Sequence, residues 1–370
     1  MPSPLLFQPL QIGALNLANR IVIAPMCQYS AVDGCMTDWH LIHLGQLALS
    51  GAGLLTVEAT AVLPQGRISY ADVGLWNDAT EAAMARTLDS IRRWSEMPIA
   101  IQLAHAGRKA STDLPWRGGA QIPIDHADGW ATVAPSALPF HAGNPPPSAL
   151  DHAGIRAVRE AFASAARRSA RLGVDALQIH AAHGYLLHQF LSPLSNRRSD
   201  DYGGSLKNRM RFPLEVFDAV REAFPAERPI SVRLSGTDWV DGGWDIAQTV
   251  AFSQALEQRG CSAIHVSSGG LDTAQNIPIG PGYQVPLARA VKAAVKIPVV
   301  AVGMITEFEH AEAILQNGDA DLIALARAML YNPRWPWHAA AHLGATVKAA
   351  PQYLRCQPTQ YRNLFENAQR

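Results

Sequence analysis

The sequence predicts a (β/α)8 TIM barrel, an α/β fold with long βα loops at its C-terminal face. Eight short apolar runs recur along the 370 residues, at 21–24, 53–57, 99–103, 176–180, 230–234, 263–266, 299–302 and 322–325. They are apolar throughout and do not alternate, as strands covered on both faces behave. Between them lie stretches with apolar residues at helical spacing, and strand–helix repeated eight times is the rhythm of a closed barrel. The rival is a doubly wound open sheet, which usually carries a glycine fingerprint after an early strand. Here the first run ends in Ala24-Pro25-Met26-Cys27 instead.

The helices follow in order. The stretch 39–50 comes after Thr37-Asp38, either of which can cap it. The stretch 79–93 shows helical spacing, and 155–172 begins soon after Asp151 and is stopped by Gly173. The stretches 211–224, 246–258, 285–294, 307–317 and 336–343 complete the set. A barrel uses about 250 residues. The chain 1–370 is therefore expected to be one barrel domain, with excursions at 104–150, 184–209 and 267–284 and a tail at 344–370. The excursions follow the third, fourth and sixth strands, on the face where barrel active sites sit. Loops this long usually serve as lids or binding walls.

Composition narrows the function. Lys plus Arg and Asp plus Glu are both 31, so the formal net charge is 0, and nothing calls for nucleic acid or an anionic membrane as partner. Weak charge repulsion is compatible with self-association. Hydrophobic residues at 48% and charged residues at 17% point to an ordered, well-buried protein. Four cysteines without CxxC spacing form no disulfide scaffold, so a reducing, cytoplasmic setting is expected. The first residues lack a basic segment followed by a long apolar one, and no run of 18 uncharged apolar residues suggests a membrane span.

Polar residues gather at the strand ends: Cys27, Glu58, Gln102, His180, Arg233, Ser267 and Arg327. Singly, each has a bland reading as a partner for a loop carbonyl. Their convergence on one face predicts an enzyme or cofactor site. The sharpest feature is HAAHGY, where His180 ends the fourth strand and His183 lies three residues on. Two imidazoles there can donate to one substrate oxygen as negative charge develops on it. They can also be merely structural, or can join His188 at a metal, although zinc wants three ligands in the right geometry and no HExxH is present. Tyr185 can give a proton to a carbanion or enolate without a shifted pKa, or it can be a wall residue; Tyr29 is a second aromatic candidate for the pocket. Arg233 and Arg327, with Gly303-Met304 at the start of the seventh helix, suggest an anionic ligand such as phosphate. Cys27 reads as a small buried hydrophobe or a nucleophile without a neighbouring base. Lys109 is a Schiff-base candidate of the aldolase kind.

Several separated segments resemble the old yellow enzyme family of FMN-dependent ene-reductases, and within it the thermophilic-like bacterial branch of YqjM-type and xenobiotic reductases. They are NRIVIAPMCQYSA, TDWHLIHLGQLALSGAGLLTVEATAVLPQGRI, IQLAHAGRKAS, HAAHGYLLHQFLSPLSNRRSDDYGGSLKNRMRFPLEV, VRLSGTDW, VSSGG and AVGMIT, spread over essentially the whole chain. The resemblance implies FMN at the barrel mouth. Pro25, Met26 and Cys27 would run beside the isoalloxazine with Ala59 nearby. Gln102 would bond the pyrimidine edge, and Arg233 would reach the N1–C2 region, where a cation favours the reduced flavin. Gly303, Met304, Ala326 and Arg327 would hold the phosphate, with Ser267 on the ribityl or phosphate side. Cys27 would tune the flavin without acting as a nucleophile.

The implied reaction is ping-pong. NADPH or NADH gives a hydride to FMN, and an activated alkene (an enone, enal, maleimide or nitroalkene) then takes it. His180 and His183 would hold the carbonyl or nitro oxygen, Tyr29 would line the pocket, and Tyr185 or solvent would protonate the α-carbon. The segment PQYLRCQ matches one in which branch members lend an arginine to a neighbouring subunit, here Arg355, in a homodimer or homotetramer. The alternative is an FMN-independent aldolase or lyase on the same barrel, acting on a phosphorylated substrate.

Overall fold

The computed structural model describes residues 3–366. Eight parallel strands close into one barrel: β1 (Ile21–Ile23), β2 (Leu54–Ala61), β3 (Ile99–Ala104), β4 (Ala176–Ala181), β5 (Ile230–Ser235), β6 (Ala263–Ser267), β7 (Val299–Ala301) and β8 (Leu322–Leu325). Each pairs with its neighbours in sequence, and β8 closes on β1 with Ile323 opposite Ile21. The outer ring is α1 (Asp38–Ala48), α2 (Asp78–Arg92), α3 (His152–Arg171), α4 (Leu206–Ala223), α5 (Ile246–Glu257), α6 (Val285–Lys292), α7 (Phe308–Gln316) and α8 (Trp335–Leu343). The (β/α)8 barrel expected from the sequence is the observed fold.

Local chemistry sets the boundaries. Asp151, Ser205 and Asp245 cap α3, α4 and α5 by accepting the backbone N–H three residues on, at 2.7, 3.3 and 2.9 Å. The Ser205 cap starts α4 at Leu206, five residues before the expected 211, and Pro213 lies inside the helix. β2 runs to Ala61, beyond the expected 57, because a bulge between Val57 and Ala59 absorbs Glu58 and lets pairing continue.

Two cores result. The larger packs the strand residues Leu55, Ile101, Leu177 and Ile264 against the helices. The smaller fills the barrel with Val22, Leu54, Ala100, Ala176, Ala263, Val300 and Leu322. An antiparallel hairpin, Leu10–Ile12 with Leu15–Leu17, joins this inner core through Ile12 and Leu17 and plugs the lower end. The sequence reading has no counterpart for that hairpin, nor for the short helices Leu186–Leu191 and Arg327–Tyr331.

The excursions are tied to one another over the upper end. Arg108 donates to the carbonyls of Leu138, Pro139 and Leu271 at 3.2, 3.3 and 2.8 Å. Lys109 Nζ donates to the carbonyls of His183 and Gly270 at 2.9 and 2.7 Å. Arg198 reaches those of Pro135 and Leu150. Among the described residues no helix is long and apolar enough to cross a membrane.

Candidate active site

Side chains alternate along a strand, so a polar residue at a strand's end and the one two positions earlier face the same way. His180 on β4 pairs in register with Arg233 on β5, which pairs with His265 on β6; Ala59, just past the bulge, lies opposite Gln102 on β3. Gln102, His180, Arg233 and Ser267 are all buried, at 1%, 3%, 8% and 4% exposure.

The two histidines bond in a chain with a readable direction. The Ala182 N–H donates to His180 Nδ1 at 3.3 Å, so a neutral His180 carries its proton on Nε2. That N–H faces His183 Nδ1 at 3.3 Å, which makes His183 the Nε2–H tautomer. His183 Nε2 in turn faces Ser267 Oγ at 2.7 Å, and the Ser267 hydroxyl donates to Gln284 Oε1 at 3.3 Å. Burial first, then the nearby Arg233 charge, holds both imidazoles well below the usual histidine range, so they are neutral donors.

The turn after His180 is strained and firmly held. His183 has φ 58° and Gly184 has φ 74°. A Cβ on Gly184 would lie 2.1 Å from the Gly270 carbonyl oxygen, so only glycine fits. The His183 N–H donates to Ser235 Oγ at 3.0 Å and the Gly184 N–H to His188 Nδ1 at 2.9 Å. His188 Nε2 lies 2.9 Å from Asp238 Oδ1, with both side chains fully buried. Burial alone would raise the Asp238 carboxyl, but His188, Ser192 and the Trp244 amide outweigh it and hold it low. His188 is thus engaged in supporting the turn rather than joining His180 and His183 at a metal. The turn delivers Tyr185, whose ring meets His180 edge-on at 5.0 Å. Burial, then Cys27 and Tyr29, pushes the Tyr185 phenol up, so it keeps its proton.

The first loop forms another wall. Glu58 Oε1 accepts the Gln28 N–H at 3.3 Å, which anchors the segment Pro25-Met26-Cys27, and its Oε2 lies 3.8 Å from His40 Nε2. Burial raises the Glu58 carboxyl and lowers His40 to about 4, pushing each toward its uncharged form. Burial, then Asp72 and Glu58, likewise holds Cys27 as a thiol, unsuited to nucleophilic attack. Tyr29 sits at φ 51° with its ring 5.9 Å from that of Trp116.

Lys109 has its amine on two carbonyls and against the rings of Phe140 and Tyr185, at 4.5 and 5.3 Å. Burial, then Arg108, lowers it to about 8. It works as a clamp on the His183 turn, and a Schiff-base lysine needs a free amine. At the other end of the mouth, Gly303 has φ 127° and Met304 φ 49°, and Gln284 Nε2 donates to the Val302 carbonyl beneath them at 3.0 Å. Arg327 is exposed at the start of the short helix after β8, where Ala326 is its half-buried cap. Arg355 is exposed on the turn Pro351–Cys356 in the tail.

Arg233 shows what the site is built to take. Its Nε is buried without a hydrogen-bond partner among the described residues, and the titratable groups that offset its burial, Tyr185, Cys27 and Tyr283, are two phenols and a thiol, none a carboxylate. A buried guanidinium needs acceptors. The family comparison agrees with that chemistry: residues 5–345 match the model of the NADH:flavin oxidoreductase / NADH oxidase family. The chain belongs to this family. An NADPH dehydrogenase of Geobacillus sp. (strain WCH70) is 43% identical over 353 residues, covering 95% of this chain and 98% of that protein. An NADH:flavin oxidoreductase of Gibberella zeae is 44% identical over 367 residues, covering 95% and 88%. Among solved structures, morphinone reductase in complex with tetrahydroNAD superposes with a TM-score of 0.76 at 32% identity, over 94% of this chain and 93% of that one. The chain is an NAD(P)H-dependent flavin oxidoreductase of the old yellow enzyme, or ene-reductase, type.

Proposed function

We propose that this flavin oxidoreductase holds FMN across the barrel mouth and reduces the C=C bond of electron-poor alkenes, with NADPH or NADH as donor. The observation that carries this reading is Arg233, a buried guanidinium without an anionic partner, in register with a neutral histidine that donates. The chemistry FMN supplies when bound is hydride exchange between NAD(P)H and the alkene. Pro25, Met26, Cys27, Ala59, Gln102 and Arg233 are the residues to hold its ring system. Ser267, Gly303, Met304, Ala326 and Arg327 are those to hold its ribityl phosphate.

The chain's own groups do the rest. The His180 and His183 N–H groups, which bond His183 and Ser267 here, turn to a carbonyl or nitro oxygen. Because they are neutral, they polarise that oxygen without protonating it, and their bonds strengthen as it becomes enolate-like. Tyr185 keeps its phenolic proton and is the donor for the α-carbon, Tyr29 lines the substrate side, and Arg355 reaches the site from a second copy of the chain.

The test is the anaerobic visible spectrum of the purified protein. NADPH should bleach a flavin band and 2-cyclohexenone should restore it. His180→Ala should slow the second half-reaction by about 100-fold, as loss of one oxyanion donor does, while leaving the bleaching by NADPH faster than that. A protein that takes up no flavin would refute the proposal.

A further inference from the structure

Below the mouth, the barrel interior holds a second layer of polar side chains that the proposed reaction does not use. Gln178 on β4, Ser231 on β5 and His265 on β6 lie there, beside Gln102 on β3. Gln102, Gln178 and His265 are 1%, 5% and 0% exposed. Gln102 Nε2 donates to Gln178 Oε1 at 2.7 Å. Gln178 Nε2 lies 3.3 Å from His265 Nδ1 and 3.5 Å from Ser231 Oγ.

These side chains cannot choose their orientations independently. An amide has a donor end and an acceptor end, and a neutral imidazole has one nitrogen of each kind. The Ser231 hydroxyl donates to the Leu177 carbonyl at 3.3 Å, so toward Gln178 it can only accept. That fixes the Gln178 nitrogen on the Ser231 and His265 side, and makes His265 Nδ1 an acceptor. The Gln178 oxygen must then face Gln102, and Gln102 must donate to it. What remains for the mouth is the Gln102 oxygen together with its second N–H. Were His265 to donate from Nδ1, Gln178 would reverse, and Gln102 would offer only N–H groups upward. Burial, then the nearby Arg233 charge, keeps His265 neutral, which leaves Nδ1 able to accept as the first arrangement requires.

We propose that Ser231, His265 and Gln178 are positioning residues that set Gln102 to present an acceptor beside a donor. That pair complements an imide edge, where an N–H stands next to a carbonyl, as on the pyrimidine ring of FMN. The inference rests on the reading that FMN occupies the mouth, and it adds side chains that cannot touch the cofactor but decide how it is read.

The test is a double-mutant cycle on the FMN dissociation constant, measured by flavin fluorescence on the deflavinated enzyme. Gln178→Met keeps length and removes all three hydrogen bonds, to Gln102, Ser231 and His265. It should weaken FMN binding about 10-fold in the parent, as loss of one well-oriented hydrogen bond does, and by less than about 2-fold in a Gln102→Met background. Gln178→Glu should retain the coupling to Gln102, because a carboxylate still accepts the Gln102 N–H while His265 shifts its proton to Nδ1. The flavin midpoint potential should follow the same pattern. Equal losses in both backgrounds, or a Gln178→Glu enzyme as weak as Gln178→Met, would overturn the relay while leaving the cofactor reading intact. A parent that binds no FMN would overturn both.

Discussion

Replacing Arg233 should move the stability of the empty protein and its affinity for the cofactor in opposite directions. Burial pushes the guanidinium down to about 10, and the nearby groups that offset this are two phenols and a thiol rather than a carboxylate. At about 1.4 kcal/mol per pKa unit, the fold disfavours this charge by about 3 kcal/mol. Arg233→Met keeps the aliphatic stem and removes the charge, so the deflavinated variant should be up to about 3 kcal/mol more stable than the deflavinated parent, as replacement of uncompensated buried charges often is. With FMN bound, the same change removes charge-assisted hydrogen bonds worth about 1.5–3 kcal/mol each. Affinity should fall about 10- to 100-fold, and the stabilisation that FMN confers should shrink in step. Urea unfolding followed by tryptophan fluorescence, with and without FMN, measures both. A deflavinated variant less stable than the parent would mean that Arg233 has a partner inside the protein. Unchanged FMN affinity would mean that it does not face the cofactor. Either result would refute the reasoning.

Three further outcomes follow from the geometry. Asp238→Asn weakens the support of His188 and through it the Gly184 N–H, so kcat/KM for the alkene should fall between about 10- and 100-fold from misplacement of His183 and Tyr185, with FMN still bound; loss of FMN would place the defect elsewhere. Gly303→Ala puts a Cβ 2.8 Å from Gln284 Nε2 at a φ of 127°, so thermal melts should show about 1–3 kcal/mol of destabilisation even without FMN. Stability should also fall with acid. Six histidines, His40, His43, His105, His180, His183 and His265, are held below 6.5 by burial, so each contributes stability above its unfolded pKa that is lost as the pH drops below it. Asp72, raised to about 6, and Glu58, also raised, have the opposite sign. The six histidines outnumber the two carboxyls, so the net effect is a fall in stability between about pH 6 and 5. A flat urea midpoint across that range would contradict the burial of these rings.

The fold was legible because barrel strands are buried on both faces and announce themselves as apolar runs. What blurred their ends were features with no apolar signature: the bulge that carries Glu58 within β2, and the Ser205 cap that starts α4 early. The site was legible at its rim, since His180, Arg233 and Ser267 stand where apolar runs stop. Its support was not, because supporting contacts are long-range: Lys109 reaches the His183 carbonyl across 74 positions and His188 meets Asp238 across a gap of fifty. Yet one part of the interior was within reach. Side chains on a strand share a face at every second position. Gln178 precedes His180 by two, Ser231 precedes Arg233 by two, and His265 precedes Ser267 by two. Three polar residues set two places below three strand-end polar residues predict a second polar layer inside the barrel. A polar layer at that depth must satisfy itself, so its hydrogen-bond directions are set by one another and passed upward to the layer that meets the ligand. The alternation that tells strand from helix therefore also bears on which end of the Gln102 amide faces the mouth.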